Sequence, residues 1–479
     1  MQDSHRNMTY MDIREIIKNC GEALKQKGFV IKTRDDKDLI PFSFDSSNKK
    51  YKLYDSFSCP WVDGEKEIPE TDSERILRER IEPWLTALFQ SEHLSLLCGS
   101  GLTNSISHLA GADGGATMDP VEFTVCKKQL KKAAENSAKK AGRDKANIED
   151  QIRTANELLQ GLKILGAKYG KKLEEELKTV LTNFANSIVK GENDIANADD
   201  EKRQNAFNIL VNFLLSFCSR TGNRERLHIF TTNYDRLIEA GAEFAGIHLI
   251  DRFVGNLMPI FRSSRLNLDI HYNPPGIKNE PRYLEGVARY TKLHGSVDWV
   301  QVDDEIRRIG LPFGALNIKP YLDAPGLKGC DELKLIIYPN SAKDKETAEY
   351  PYVELFRDLA ASICRPNSTL VTFGYGFGDD HINRVIKDML TIPSTHLVII
   401  SYDDTGNRIL KFYKDVGRPA QMTVLMGTIF GNIQNLSQCF LPKAAIDNAT
   451  LRMSDLLQKR MGPVASSIGS TPTTSSSTK

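Results

Sequence analysis

The chain has no Cys-x-x-Cys pair, and no apolar run approaches the ~18–20 residues that a bilayer span requires. Its eight cysteines stand at positions 20, 59, 98, 126, 218, 330, 364 and 439, with no two closer than Cys98 and Cys126. That scatter offers no ligand spacing for a structural zinc and no redox dithiol, so the cysteines read as reduced, mostly buried thiols. An excess of one charge sign is also lacking. Lys and Arg number 63 against 62 Asp and Glu, a net charge of +1, so no global field would draw the chain to DNA or to anionic lipid. Any nucleic-acid role must therefore be local. The N-terminal MQDSHRNMTYMDIREIIKNCGE has no apolar core of the kind a secretory signal carries, and the expectation is a cytoplasmic protein with no membrane partner.

What is present is ordinary globular composition, 40% hydrophobic and 26% charged, over 479 residues, long enough for two or three folded units. Residues 463–479 (PVASSIGSTPTTSSSTK) are mostly Ser and Thr with almost no apolar anchors, and are expected to be disordered. Residues 1–70 form an N-terminal extension with one amphipathic helix at Met11–Gln26 followed by short strands. From Thr71, TDSERILRERIEPWLTALFQ reads as a helix capped by Asp72 and Ser73 and ending near Gln90. His93–Cys98 is then a strand that stops at Gly99-Ser100-Gly101 and turns into a helix.

The same alternation recurs at Leu227–Thr232, Ser368–Phe373, Thr395–Ser401 and Gln421–Met426, each followed by a polar turn and a helical stretch. Tyr290–His294 and Leu333–Tyr338 add strands without an obvious following helix. This grammar predicts an α/β, Rossmann-like, mostly parallel sheet with helices on both faces, whose ligands bind at the carboxyl ends of the strands. The expected domain comprises residues 71–119 and 223–440, interrupted by a Lys/Glu/Ala/Leu-rich helical insertion at 120–222 and followed by a helix at 441–462. Within the insertion, Lys127, Lys128, Lys131, Lys132, Lys139, Lys140, Arg143 and Lys145 face only Glu135 and Asp144. That block is either a solvated helix face or a docking patch for a partner or nucleic acid.

Three short motifs end three strands. Gly99-Ser100-Gly101-Leu102-Thr103-Asn104 suits a pyrophosphate at a helix N-terminus, although it lacks the full G-x-G-x-x-G spacing and a tight turn would explain it equally. Thr231-Thr232-Asn233-Tyr234-Asp235 sets an amide and a carboxylate two residues apart at a strand end, where both also serve as helix caps. Leu293-His294-Gly295-Ser296 offers a histidine with an ordinary pKa near ~6.5, suited to a base at neutral pH but also common as a structural residue.

In this order GSGLT, TTNYD and LHGS resemble the sirtuin-like family of NAD-consuming enzymes, whose motifs take the forms GAG-x-S, TQN-x-D and HG. A fourth segment, Phe373-Gly374-Tyr375-Gly376-Phe377-Gly378-Asp379-Asp380-His381-Ile382-Asn383, resembles the GYSFGDxHIN stretch of bacterial sirtuin-like defence proteins. The resemblance implies that Gly99, Ser100, Gly101 and Thr103 hold the pyrophosphate and that Asn104 borders the nicotinamide ribose. It implies that Asn233, beside Thr232, orients that ribose or a water, that Asp235 bonds the carboxamide, and that His294 is the general base. Gly374, Tyr375, Gly376, Phe377, Ser401 and Tyr402 would flank the adenosine.

Two departures shape the expected activity. The four-cysteine zinc module of protein-deacylating sirtuins has no counterpart, so no zinc is expected, and the acyl-lysine loop of the form GIPDFR is replaced by SISHLAGADGG. With water as the remaining nucleophile, the resemblance implies an NAD hydrolase that releases nicotinamide and ADP-ribose and depletes NAD in antiphage defence (abortive infection). It would act as a homo-oligomer or beside a HerA-type ATPase. The alternatives are a non-catalytic NAD-sensing subunit, or an NAD-dependent deacylase or ADP-ribosyltransferase.

Overall fold

A computed structural model describes residues 13–59, 61–62, 67–112, 118–140, 145–220, 224–273, 275, 282–327, 335–337 and 350–443. From residue 444 on, the expected C-terminal helix and Ser/Thr tail lie outside the described residues, as do Arg143 and Cys330.

The chain opens with α1 (Ile13–Lys25), β1 (Phe29–Lys32), β2 (Ile40–Asp45), β3 (Lys50–Leu53), β4 (Glu67–Pro69) and α2 (Glu70–Phe89). Asp72 and Ser73 do not cap α2. Pro69 sits at its N-cap, and Ser73 Oγ donates back to the Glu70 carbonyl at 2.7 Å from inside the first turn. Next come β5 (His93–Cys98), α3 (Ser100–Ala110), α4 (Lys127–Lys140), α5 (Ile148–Ile164), α6 (Tyr169–Ala196), α7 (Asp200–Cys218), β6 (Leu227–Thr231), α8 (Leu237–Ala245) and β7 (His248–Ile250). The short strands β8 (Phe253–Val254), β9 (Ile260–Phe261), β10 (His271–Tyr272) and β11 (Arg282–Tyr283) lead to β12 (Val287–Lys292), β13 (Gly295–Val302), β14 (Glu305–Arg308), α9 (Lys319–Leu322) and β15 (Leu335–Ile337). The last third holds α10 (Tyr352–Ile363), β16 (Ser368–Phe373), α11 (Asp380–Met389), β17 (His396–Ser401), α12 (Arg408–Val416) and β18 (Met422–Gly427).

The main sheet has eleven strands in the order β4-β3-β2-β1-β18-β17-β16-β5-β6-β12-β7. The seven from β18 to β7 are parallel, six of them at the expected apolar runs, whereas the run at 333–338 supplies β15, which pairs antiparallel with β13 in a second sheet. Every residue of β16 is buried, as is all but the first of β5 and β17, because helices cover both faces. Strands β1 to β4 of the N-terminal extension are built into this sheet: β1 pairs antiparallel with β18, Phe29 lying opposite Gly427, and the Phe29 ring packs on Phe42 and Phe430. The chain leaves β5 toward β6 on one side and returns to β16 on the other, which opens a crevice at the carboxyl ends of β5 and β16.

The insertion does not stand apart. Phe213 and Phe217 of α7 belong to the main core, with the Phe213 ring 5.0 Å from that of Phe373. Helices α4 to α6 share a second core with Val297 and Val300 of an antiparallel sheet ordered β15-β13-β14-β9-β8. Helix α4 buries Leu130, Ala134 and Ala138, one face at i, i+4 and i+8, and exposes Lys127, Lys128, Lys131, Lys132 and Lys139. No helix among the described residues is long and apolar enough to cross a membrane.

Candidate functional site

The glycine turn after β5 and the turn after β16 are fitted against each other. A Cβ on Gly99 would meet the Gly374 carbonyl oxygen at 2.5 Å, and one on Gly101 would meet the Gly374 Cα at 2.5 Å. Gly374 adopts a left-handed φ of +59°. These glycines are required for backbone-on-backbone contact, a constraint separate from approach to a phosphate. Two first-turn amides of α3 are already used, Gly101 N donating to Gly374 O at 3.1 Å and Leu102 N to Gly99 O at 3.0 Å.

Beyond β6, the Asn233 side-chain amide donates to Gly99 O at 3.0 Å and to Thr103 Oγ1 at 2.9 Å. Both Nδ2 hydrogens are thereby used, which fixes the amide so that Oδ1 is the group left to accept from a ligand or water. Thr103 passes its own proton to Asp235 Oδ2 at 2.6 Å, while Asp235 Oδ1 accepts from Leu237 N at 3.1 Å. Asp235 is thus both a helix-start cap and a link to α3. Below this loop Lys292, 1% exposed, donates to the carbonyls of Asp235 and Tyr234 and to Glu239 Oε1 at 3.2 Å. Two residues on, His294 lies between β12 of the main sheet and β13 of the second sheet, with Gly295 at φ +86° making the turn.

The turn after β16 is braced from within. Asn383 donates to Phe377 O at 3.0 Å and accepts from the Tyr375 hydroxyl at 3.1 Å, which holds Phe377 at a left-handed φ of +51°. The Phe377 ring points into the core against Tyr375 and Phe412.

Two cavities occupy the crevice. One, of about 260 Å³, is bordered by Asn233, Asp235 and His294; the other, of about 580 Å³, by Gly374, Ser401 and Tyr402. They share Ser100, Asn104, Gly376 and Arg408 at their joint. Helix α6 walls the first cavity with Phe184, Ile188, Glu192 and Ile195. Glu192 is buried and accepts from Arg236 through its backbone N at 2.7 Å, Nε at 3.2 Å and Nη2, so the insertion is tied to the Asn233 loop by a buried ion pair. Burial pushes the Glu192 carboxyl up to about 7 against the pull of Arg236. Burial likewise raises the Tyr234 hydroxyl well above its ordinary value, with Glu149, Tyr352 and Asp379 adding to the effect, so that it stays neutral.

Gly99, Thr103, Thr232, Asn233, Asp235, His294 and Tyr375 border the first cavity, Gly101, Gly374, Ser401 and Tyr402 the second, and Ser100, Asn104 and Gly376 both. Phe377 borders neither. The sequence reading did not single out Glu149, Glu192, Asp379 and Arg408, which also border the first cavity. Arg408 opens α12, where its Nε donates to Thr405 O at 3.1 Å, and its guanidinium lies over Gly376 and Gly378. Among the described residues no three His, Cys, Asp or Glu side chains gather as a metal site would require.

No curated protein matches the chain. Residues 227–417, from β6 through α12, match a family model described as SIR2-like domain. The match spans the Asn233 loop, His294 and the turn after β16, and begins after the Gly99 turn. SIR2-like domains use NAD+, and the match supports a sirtuin-like family and an NAD-dependent activity for this chain.

Proposed function

We propose that the protein hydrolyses the nicotinamide–ribose bond of NAD, giving nicotinamide and ADP-ribose. The observation that carries this reading is the pair of cavities joined at Ser100, Asn104, Gly376 and Arg408. Their polarity matches the two halves of a dinucleotide. The first has the acidic side chains of Glu149, Asp235 and Asp379 on its walls, suited to a cationic nicotinamide riboside end. The joint carries the Arg408 guanidinium and the Ser100 hydroxyl at the start of α3, suited to a pyrophosphate.

In the reaction the C1′–N1 bond breaks and its electron pair goes to the nicotinamide nitrogen, discharging the pyridinium. Positive charge develops at the ribose, where the wall carboxylates stabilise it. Asn233 Oδ1 orients a water whose oxygen bonds to C1′, and His294 takes the water's proton. Lys292 and the Glu192–Arg236 pair hold the Asn233 loop while this happens. Phe184, Ile188 and Ile195 along the cavity wall favour water over a bulky peptide acceptor. We further propose that this depletes NAD in antiphage defence, with the chain acting as an oligomer or with a HerA-type ATPase partner.

The test is to incubate the purified protein with NAD, alone and with such an ATPase, and to follow products by mass spectrometry. Equimolar nicotinamide and ADP-ribose without any peptide is the expected result. NAD binding with no nicotinamide released under either condition would favour a non-catalytic sensing role instead.

A further inference from the structure

His294 follows β12, whereas His381 is the second residue of α11, yet their Nε2 atoms lie 3.4 Å apart with ring centroids separated by 5.5 Å. Two imidazole nitrogens at that separation hold one proton between them. Two lone pairs would repel, and two N–H groups would meet head on. The surroundings decide which ring donates. His381 is 9% exposed, lies in the first turn of α11, and receives the Phe356 ring edge-on at 4.6 Å. A helix N-terminus and an apolar contact both disfavour an imidazolium there. His294 is half-buried beside the cavity, where positive charge is better solvated.

We propose that His381 is the positioning partner of His294: its Nε2 lone pair accepts the His294 Nε2–H and fixes the tautomer whose basic atom is Nδ1. The two rings then take up a single proton as a unit. During hydrolysis the water's proton goes to His294 Nδ1 while the Nε2 proton stays in the bond to His381, which stabilises the resulting cation; loss of the Nδ1 proton to solvent resets the pair. Ionisable groups near the pair include Tyr234, whose ring centroid is 6.4 Å from that of His294 and which Glu149 of α5, Tyr352 of α10 and Asp379 influence in turn, Asp380 beside His381 at the start of α11, and Asp235, Glu192 and Arg408, which border the same cavity as His294. The catalytic use rests on the NAD-hydrolase reading, whereas the tautomer and the proton count do not.

The experiment uses the full chain labelled with ¹⁵N only in its nine histidines. Nuclear magnetic resonance reads tautomer and titration of each ring, with His294→Gln and His381→Gln giving the assignments. His294 should appear as the Nε2–H tautomer. His381→Phe, which keeps an aromatic ring against Phe356 but removes the lone pair, should convert His294 to a tautomer mixture and move its titration to lower pH. His381→Gln, whose amide oxygen still accepts, should restore the tautomer. In nicotinamide-release assays the Phe variant should lose at least about tenfold in kcat, a fraction of the 10²–10⁴ that a positioned base supplies, with KM within about twofold and the acidic limb of the rate profile shifted down. An unchanged His294 titration in His381→Phe overturns the proposal. If that variant does not fold, His294→Gln decides it, because linkage is reciprocal and an unchanged His381 titration would equally overturn it. Nicotinamide release absent from the wild type, with the tautomer result intact, would reject the hydrolase reading and not the pair.

Discussion

Replacing Lys292 by methionine removes an ammonium group that is almost wholly buried while keeping most of the volume of its stem. The Asp235 carbonyl loses its donor and the Glu239 carboxylate loses one of two, keeping its bond from the Tyr290 hydroxyl at 2.9 Å, while the Tyr234 carbonyl still accepts from Val297 N at 3.0 Å and Ser296 Oγ at 3.3 Å. A buried carbonyl left without a donor costs roughly 1–3 kcal/mol, and removing one member of a buried ion pair about 3–5 kcal/mol. The Glu239 side chain is 25% exposed, so water replaces part of the lost interaction and about 2–4 kcal/mol is the expected net cost. Residues Met1–Pro442 form one unit, for which ~2.1 cal/mol/K per residue gives an unfolding entropy near 0.9 kcal/mol/K. The melting temperature should therefore fall by about 2–4 °C. The catalytic effect should be larger, because the freed carbonyl is that of Asp235, two residues from Asn233, and a displacement of about 1 Å at such a loop costs on the order of 10²-fold in rate. Adding Glu239→Gln, which removes the stranded carboxylate, should return part of the stability and little of the rate. Calorimetry beside a nicotinamide-release assay measures both. A melting shift under about 1 °C together with kcat within twofold of wild type would refute the claim that Lys292 holds the loop.

The parallel sheet was legible because its strands are buried on both faces, so β5, β6, β16, β17 and β18 each read as an apolar run ending in a polar turn. β12 was visible for the same reason. The role of residues 29–69 was hidden, since antiparallel strands of three to six residues joined by polar turns carry little periodicity, and nothing in FVIK or IPFSFD names β18 as the neighbour. The insertion was readable as helical from its composition, but its division between two cores was not. That division depends on which faces of α6 and α7 meet β13 and β16, and it follows from contacts between residues far apart in sequence.

At the site, motif residues at strand ends converged because strand ends converge in a sheet of this topology. Phe377 reads as part of the adenosine turn, yet it packs inward because Asn383, six residues on, binds its carbonyl and turns the backbone left-handed. Glu192 could not be read from the sequence: near the C-terminal end of a helix of 28 residues, one glutamate among several looks like a solvated charge. Only its burial against Arg236 marks it. His381 was inside a recognised segment and still carried no visible role, because its partner lies 87 positions earlier.

Asn233→Ala and His294→Ala should each reduce nicotinamide release by about 10²–10⁴-fold, and retention of more than a tenth of wild-type activity by either would reject its role. Glu192 keeps its proton in the folded chain up to about 7, while the unfolded chain loses it near the ordinary value of 4.5, so the folded state binds more protons in that window. Stability should fall as pH rises from about 4.5 to about 7, and Glu192→Gln should flatten that slope in denaturation measured across the range. Gly374→Ala sets a Cβ 2.5 Å from Gly101 Cα at a positive φ, and a loss of about 1–3 kcal/mol in denaturant titration is expected; a neutral outcome would mean the two turns are not in contact. Arg408→Met tests the joint between the cavities. Its guanidinium is half-buried, lies over Gly376 and Gly378, and has one bond to a backbone carbonyl, so removing the charge should leave the melting temperature nearly unchanged. A charge-assisted bond to a phosphate contributes about 1.5–3 kcal/mol, equivalent to roughly 10–100-fold in KM for NAD. Because Arg408 is assigned to the pyrophosphate and not to the bond that breaks, kcat should hold, the pattern of an interaction equal in ground and transition states. Nicotinamide riboside, which lacks both phosphates, supplies the control: Arg408→Met should cleave it as well as the wild type does, and an equal loss on both substrates would show that Arg408 acts elsewhere in the site.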